Sequence, residues 1–162
     1  MRRSDRAVQD QQQILEIVQN CTVCRIALNT GQAPYIVPLN FGFEMTDEGA
    51  LNLYFHSALD GRKLDLLKAD SRVGFEMDTS LNLIPANTAC DYAMEFESIV
   101  GLGELMICDS EDEKQYGLSL IMRHYAPNER FEFVPKMLNA TTVLKLCVHD
   151  YEAKRLRKKG NA

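Results

Sequence analysis

Nowhere do the 162 residues contain an uninterrupted apolar stretch approaching the ~20 residues that a membrane-crossing helix needs. The start, MRRSDR followed by a run of glutamines, also lacks the apolar segment of a secretory signal, so a cytoplasmic location is expected. A clustered basic surface is missing as well: the formal net charge is −5, which argues against a dedicated nucleic-acid binder. The one basic run, Lys154, Arg155, Arg157, Lys158 and Lys159, falls in a C-terminal stretch, residues 150–162, that reads as a solvated basic tail. Five cysteines are an odd number, which rules out a complete set of disulfides within one chain and agrees with a reducing compartment. Cys21 and Cys24 form a CxxC with no second pair at metal-ligand spacing, so no metal site is expected. A redox dithiol sits at the start of a helix, whereas TVCRIAL reads as a strand. Cys90, Cys108 and Cys147 are expected to pack as small buried hydrophobes. Neither a nucleophile triad nor a paired-carboxylate site can be assembled from the pattern.

What is present describes one globular domain over residues 1–162, with 46% hydrophobic and 25% charged residues and no repeats or linkers. Residues 1–20 predict a helix capped at Ser4 or Asp5, with Ile14, Leu15 and Val18 as its apolar stripe. TVCRIALN and PYIVPLNFGFEM then predict a β-hairpin around a turn at Thr30, Gly31 and Gln32. Pro38 cannot donate to a ladder and implies an edge strand, a bulge or an approach by something other than a strand. ALNLYFHSA alternates as a strand, ALDGRKLDLLKAD switches to helical spacing, and residues 71–78 give a further strand. Residues 92–107 are long and β-rich, with Gly101 and Gly103 suggesting a bulge or sharp bend midway. A capping box of Ser110 and Glu113 opens a helix whose inner face is expected to be Leu118, Ile121, Met122 and Tyr125. The last strand, TTVLKLCVHDY, does not alternate strictly, as if both of its faces were covered. The class is α+β, and a closed or nearly closed barrel is the economical way to remove so many strand edges.

The chemistry concentrates between residues 34 and 63. A strand ends in His56 and Ser57, and the helix after it begins with Gly61, Arg62 and Lys63. Two cations, an imidazole and a hydroxyl beside the unpaired amides of a helix N-terminus suit a phosphate dianion. The same residues also fit an ordinary solvated helix start and cap. Upstream, the proline-interrupted strand carries Asn40 and the aromatics Tyr35, Phe41 and Phe43, where a flat ring could lie and hydrogen-bond unpaired backbone groups by its polar rim. His124 and His149 have no evident chemical partner and are given structural roles.

PYIVPLNFGFE, LYFHSALDGRKLDLL, VGFEMD, and Cys90 followed by ESIVGLGE, in this order and spacing, resemble the nitroimidazole-resistance branch of the pyridoxamine-phosphate-oxidase-like proteins. The likeness runs from about residue 3 to residue 148, and YFHSA with GRK is its most specific piece. It implies an FMN-binding split β-barrel, predominantly antiparallel with a few short flanking helices, and a homodimer with FMN at the subunit interface. It further implies a phosphate held by His56, Ser57, Arg62 and Lys63, a flavin ring lying along Val37, Pro38, Leu39 and Asn40, and Phe55 beside the site. Residues 90–98 correspond to the stretch that approaches the cofactor near the interface. The chain has no tryptophan and no C-terminal arginine motif for pyridoxal phosphate, which argues against vitamin B6 oxidase activity. The activity implied is an FMN-dependent, nitroreductase-like oxidoreductase that takes electrons from a nicotinamide or another donor. The acceptor would be a small molecule such as a nitroaromatic or a quinone, with His56 as the candidate for proton transfer. A flavin- or haem-binding module without turnover, and a pyridoxal-phosphate or deazaflavin enzyme, are the alternatives on the same barrel.

Overall fold

The computed structural model describes residues 4–79 and 82–157. In chain order the elements are β1 (Ala7–Val8), α1 (Gln11–Asn20), β2 (Cys24–Leu28), β3 (Tyr35–Leu39), β4 (Gly42–Met45), β5 (Leu51–Ser57) and α2 (Arg62–Ala69). They continue as β6 (Arg72–Thr79), β7 (Leu83–Ile84), β8 (Ala93–Met94), β9 (Phe96–Ile107), α3 (Glu111–Tyr125), α4 (Pro135–Asn139) and β10 (Thr142–Leu156). The main sheet runs β3-β2-β6-β9-β10-β5-β4 with β1 added to β10, and every pairing is antiparallel. Its path is open between β3 and β4, so the barrel is split rather than closed. No helix among the described residues is long and apolar enough to cross a membrane.

The interior is filled from one face of this sheet. Ile26, Leu53, Phe55, Met77, Ile99 and Leu146 point inward, and α1 plugs them with Ile14, Ile17 and Val18. Helix α1 starts later than the sequence predicts. Asp10, rather than Ser4 or Asp5, is its cap and accepts from the Gln13 amide at 2.9 Å, while residues 4–8 form a 3-10 turn and β1. Asp10 wins because the apolar stripe that docks the helix begins only at Ile14.

On the outer face, α3 covers β4, β5 and β10. It lies close because a glycine stands on each side of the contact: a Cβ at Gly42 of β4 would stand 2.3 Å from the Ile121 nitrogen, and one at Gly117 of α3 would stand 2.8 Å from side-chain atoms of Tyr54 and Val143. This close seat turns the helix, so its buried residues are Gly117, Leu120 and Ile121, and of the expected inner face only Ile121 is fully covered. The capping box of Ser110 and Glu113 is present as expected. Coverage by α3 also explains why β5 and the start of β10 are buried on both faces.

A carboxylate fastens this layer. Glu44 accepts hydrogen bonds from Tyr54 Oη (2.6 Å), Asn52 Nδ2 (3.0 Å) and Tyr116 Oη (2.5 Å), tying β4 and β5 to α3. Burial pushes its carboxyl pKa up, but the three hydrogen bonds and the nearby Lys145 charge together outweigh burial and hold it below the ordinary glutamate value.

Three further expectations are corrected. The stretch expected as a basic tail is strand as far as Leu156, and Arg155 is mostly covered because its guanidinium pairs with fully buried Glu97 at 2.7 Å, joined by Arg157. Lys158 and Lys159 lie outside the described residues. The bulge sits not at Gly101 and Gly103 but on the facing strand, where the β10 register slips between Val148 and Asp150. The two glycines let that strand approach: a Cβ at Gly103 would meet the Cys147 carbonyl oxygen at 2.2 Å. Cys90 is exposed rather than packed, because it lies in the 3-10 turn between β7 and β8, outside the core.

Candidate functional site

Edge strand β3 and the N-terminus of α2 carry the candidate site residues. Leu64 and Leu67 bury one side of α2 in the core, which fixes its first turn at the end of the barrel where β5 finishes. Gly61 caps α2 at φ 123°, a conformation that favours glycine, and an added Cβ there would meet nothing within 4 Å. Its carbonyl accepts from the amides of Leu64 (2.9 Å) and Asp65 (3.2 Å), and no side chain caps the helix. The amides of Arg62 and Lys63 are therefore the open donors of the first turn.

Neither Arg62 nor Lys63 pairs with a carboxylate among the described residues. In contrast, Arg25 is held by Glu76 and Asp78, and Arg72 by Asp70. Lys63 is partly buried, and desolvation alone lowers its pKa, so a bound anion would restore what burial removes. Arg62 reaches across to β3 and places its guanidinium carbon 4.5 Å from the centre of the Tyr35 ring. That contact joins the helix start to the beginning of the edge strand.

Beyond Tyr35, the strand runs on through Val37, Pro38 and Leu39 to Asn40. Its outer edge carries no strand, which is the place where Pro38 is tolerated. Four residues of strand rise carry the chain about 13 Å from Tyr35 to Leu39. The structure thus brings Arg62 and Lys63 to one end of an unpaired strand edge and sets residues 37–40 along it. His56 and Ser57 end β5, five residues before the cations, with His56 exposed. Phe55 is fully buried in the core, where its side chain supports the strand.

The CxxC belongs elsewhere. Both thiols are fully buried, Cys24 opening β2 and Cys21 ending α1. Burial, with Asp78 and Glu76 nearby, pushes the Cys21 pKa up to about 12, and burial raises Cys24 still further, so neither is a thiolate at neutral pH. No group of three or more His, Cys, Asp or Glu that could hold a metal ion occurs among the described residues. His124 is engaged structurally, its Nε2–H donating to the Cys21 carbonyl at 2.8 Å.

Sequence reasoning names Tyr35 but not its contact with Arg62, and it misses the partners of residues 40 and 41 altogether. Asn40 Nδ2 donates to the Thr22 carbonyl (3.2 Å), and the Phe41 amide donates to the Tyr125 hydroxyl (3.1 Å). These pairs are 18 and 84 residues apart, and no local pattern signals them.

Residues 10–155 match the family model described as pyridoxamine 5'-phosphate oxidase. Among solved structures, a Bacteroides thetaiotaomicron protein described as a candidate 5-nitroimidazole antibiotic resistance protein is 28% identical, with a TM-score of 0.79 over 92% of this chain and 86% of that one. A flavocytochrome of Azotobacter vinelandii has a TM-score of 0.79 at 20% identity, covering 98% of this chain and 72% of that one. An FAD- and haem-binding protein of Mycobacterium smegmatis has a TM-score of 0.81 at 15% identity, covering 97% and 76%. No curated protein matches the chain significantly.

Proposed function

The chain belongs to the pyridoxamine 5'-phosphate oxidase family, and from that premise we propose that it binds FMN at the β3–α2 site as a homodimer and reduces a small acceptor, such as a nitroaromatic or a quinone. The observation that carries this reading is the pair of uncompensated cations at the open first turn of α2, tied by Arg62 to the start of an unpaired strand edge. These residues fit a phosphate at one end and a flat ring along residues 37–40. A flavocytochrome and an FAD- and haem-binding protein share the fold, which supports a flavin as the ligand.

Each part of the site has its own task. Arg62, Lys63 and their amides, with Ser57, neutralise and hold the phosphate dianion. Asn40 and the free edge of β3 meet the polar rim of the ring, which orients it. Exposed His56 is the side chain able to hold or deliver a proton near the site. When bound, flavin supplies the electron-transfer chemistry between a nicotinamide or other donor and the acceptor. An absorption spectrum of the purified protein tests the reading: oxidised-flavin bands that release FMN on denaturation are expected. A Soret band, or a colourless protein unable to take up added FMN, overturns it.

The homodimer is supported by the half of the outer sheet face that α3 leaves bare. Ile36 on β3 and Val100, Leu102 and Met106 on β9 lie there, 58%, 54%, 53% and 45% exposed, with Ala27 and Gly74 of the two intervening strands in register between Ile36 and Leu102. Such a contiguous apolar surface marks an association site, and the second subunit would complete the pocket. Wild-type protein is expected to sediment at twice the 18.4 kDa chain mass, and Leu102→Asp at the single-chain mass with unchanged circular dichroism. A wild-type protein that sediments as one chain refutes the dimer.

A further inference from the structure

Between β3 and β4 the backbone changes partners, leaving the ladder with β2 and joining the ladder with β5. Only Asn40 and Phe41 span this change, at the split in the barrel. No strand accepts the Phe41 amide. The Tyr125 hydroxyl does so at 3.1 Å and at the same time donates to the Thr22 carbonyl at 2.7 Å. Asn40 Nδ2 donates to that same carbonyl at 3.2 Å. One oxygen just past the end of α1 thus ties down both the tyrosine and the asparagine.

Tyr125 is itself held. The neighbouring His124 anchors to the Cys21 carbonyl at 2.8 Å, and its ring centre lies 4.7 Å from those of both Phe41 and Tyr125. Phe41 is fully buried, which pins the peptide, whereas Asn40 is exposed and its side-chain oxygen makes no hydrogen bond among the described residues. The result is a carboxamide fixed on one side, with one acceptor and one further donor hydrogen facing outward.

We propose that Tyr125 is a positioning residue for the cofactor: through Thr22 and Phe41 it fixes Asn40 so that the free carboxamide atoms meet the polar rim of the flavin ring. This inference rests on the reading that the ring lies along residues 37–40. Losing the hydroxyl leaves the Phe41 amide without its acceptor, so the peptide that joins Asn40 to Phe41 loses its fixed geometry. A fixed amide at the ring rim stabilises one oxidation state of the ring relative to the other, whereas a loose one does so less.

The test uses the full chain titrated with FMN, comparing wild type with Tyr125→Phe, Asn40→Ala and the double variant. Phenylalanine keeps the ring packing on His124. Each single variant is expected to raise the FMN dissociation constant about three- to tenfold. Each is also expected to shift the flavin midpoint potential and visible bands in the same direction. The double variant should be no worse than the larger single one, because both act through one contact. Unchanged potential and spectrum in Tyr125→Phe, or additive effects in the double variant, overturn the proposal. Should Tyr125→Phe not fold, Asn40→Ala decides, since its substitution is at the surface and an unchanged potential there is equally fatal. Wild-type FMN affinity in an Arg62→Ala/Lys63→Ala protein would refute the site itself. Weakened affinity in that protein, with silent Tyr125 and Asn40 variants, would refute only the positioning role.

Discussion

Replacing Arg62 and Lys63 together by alanine is expected to weaken FMN binding about 100- to 1,000-fold while leaving the fold intact. Each cation offers a charge-assisted hydrogen bond to a phosphate, and such bonds contribute about 1.5–3 kcal/mol each before screening at an open site reduces them. Two of them, discounted for exposure, leave about 3–4 kcal/mol, which is the stated range of affinity. The fold should tolerate the change because α2 is held by Leu64 and Leu67 on its other side. The only described contact that disappears is that of Arg62 with Tyr35, worth about 0.5–1 kcal/mol at an exposed position. Arg72→Ala is the control: it removes another exposed guanidinium, one that Asp70 already neutralises at 2.8 Å, and FMN affinity should not move. Isothermal titration with FMN, checked by circular dichroism, reads all three proteins. Unchanged affinity in a folded double variant would sink the assignment of the phosphate site.

Gly42→Ala should be strongly destabilising for a single added methyl group. The added carbon would fall 2.3 Å from the Ile121 nitrogen and 2.4 Å from the Leu120 carbonyl carbon, both backbone atoms of α3, which no rotamer change can move aside. The helix must instead lift by an ångström or more. That would loosen Leu120 and Ile121, and with them the hydrogen bonds from Tyr116 to Glu44 and from Tyr125 to Thr22. Overpacking of this kind costs about 3 kcal/mol, which for a chain of this size lowers the melting temperature by about 6–12 °C. Gly31→Ala provides the comparison. Its φ is +76° but nothing lies within 4 Å of the added carbon, so the penalty is limited to about 1–2 kcal/mol of backbone strain. Thermal melts of the two variants decide the matter: a Gly42→Ala protein no less stable than Gly31→Ala would mean that α3 does not sit so close to β4.

Much of the fold was legible because its signals are local. Two-residue alternation placed β5, helical spacing placed α2, and the serine–glutamate box placed the start of α3. Pro38 announced an edge strand, and β3 is the end of the sheet path. Local signals also misled where a distant contact competed. Ser4 and Asp5 are good caps, yet the helix begins after Asp10, and the expected inner face of Leu118, Ile121, Met122 and Tyr125 is turned partly away by the seat of α3 on Gly42. The basic residues near the C-terminus looked solvated because nothing nearby in sequence shows that Glu97 waits, fully buried, on the neighbouring strand.

For the candidate site the division is the same. By itself the sequence determined that two cations follow a glycine at a helix start, that a histidine and a serine end the strand before it, and that a proline-broken strand precedes both. These are properties of short stretches, set by propensity and spacing. Only the tertiary structure decided that Arg62 leans on Tyr35, that Phe55 is lost to the core, and that Tyr125 and Thr22 hold the peptide between β3 and β4. Which backbone donor meets which distant acceptor, and which face of a helix lies against a sheet, depend on how elements far apart in the chain pack together, and that packing energy belongs to the assembled fold rather than to any one segment of it.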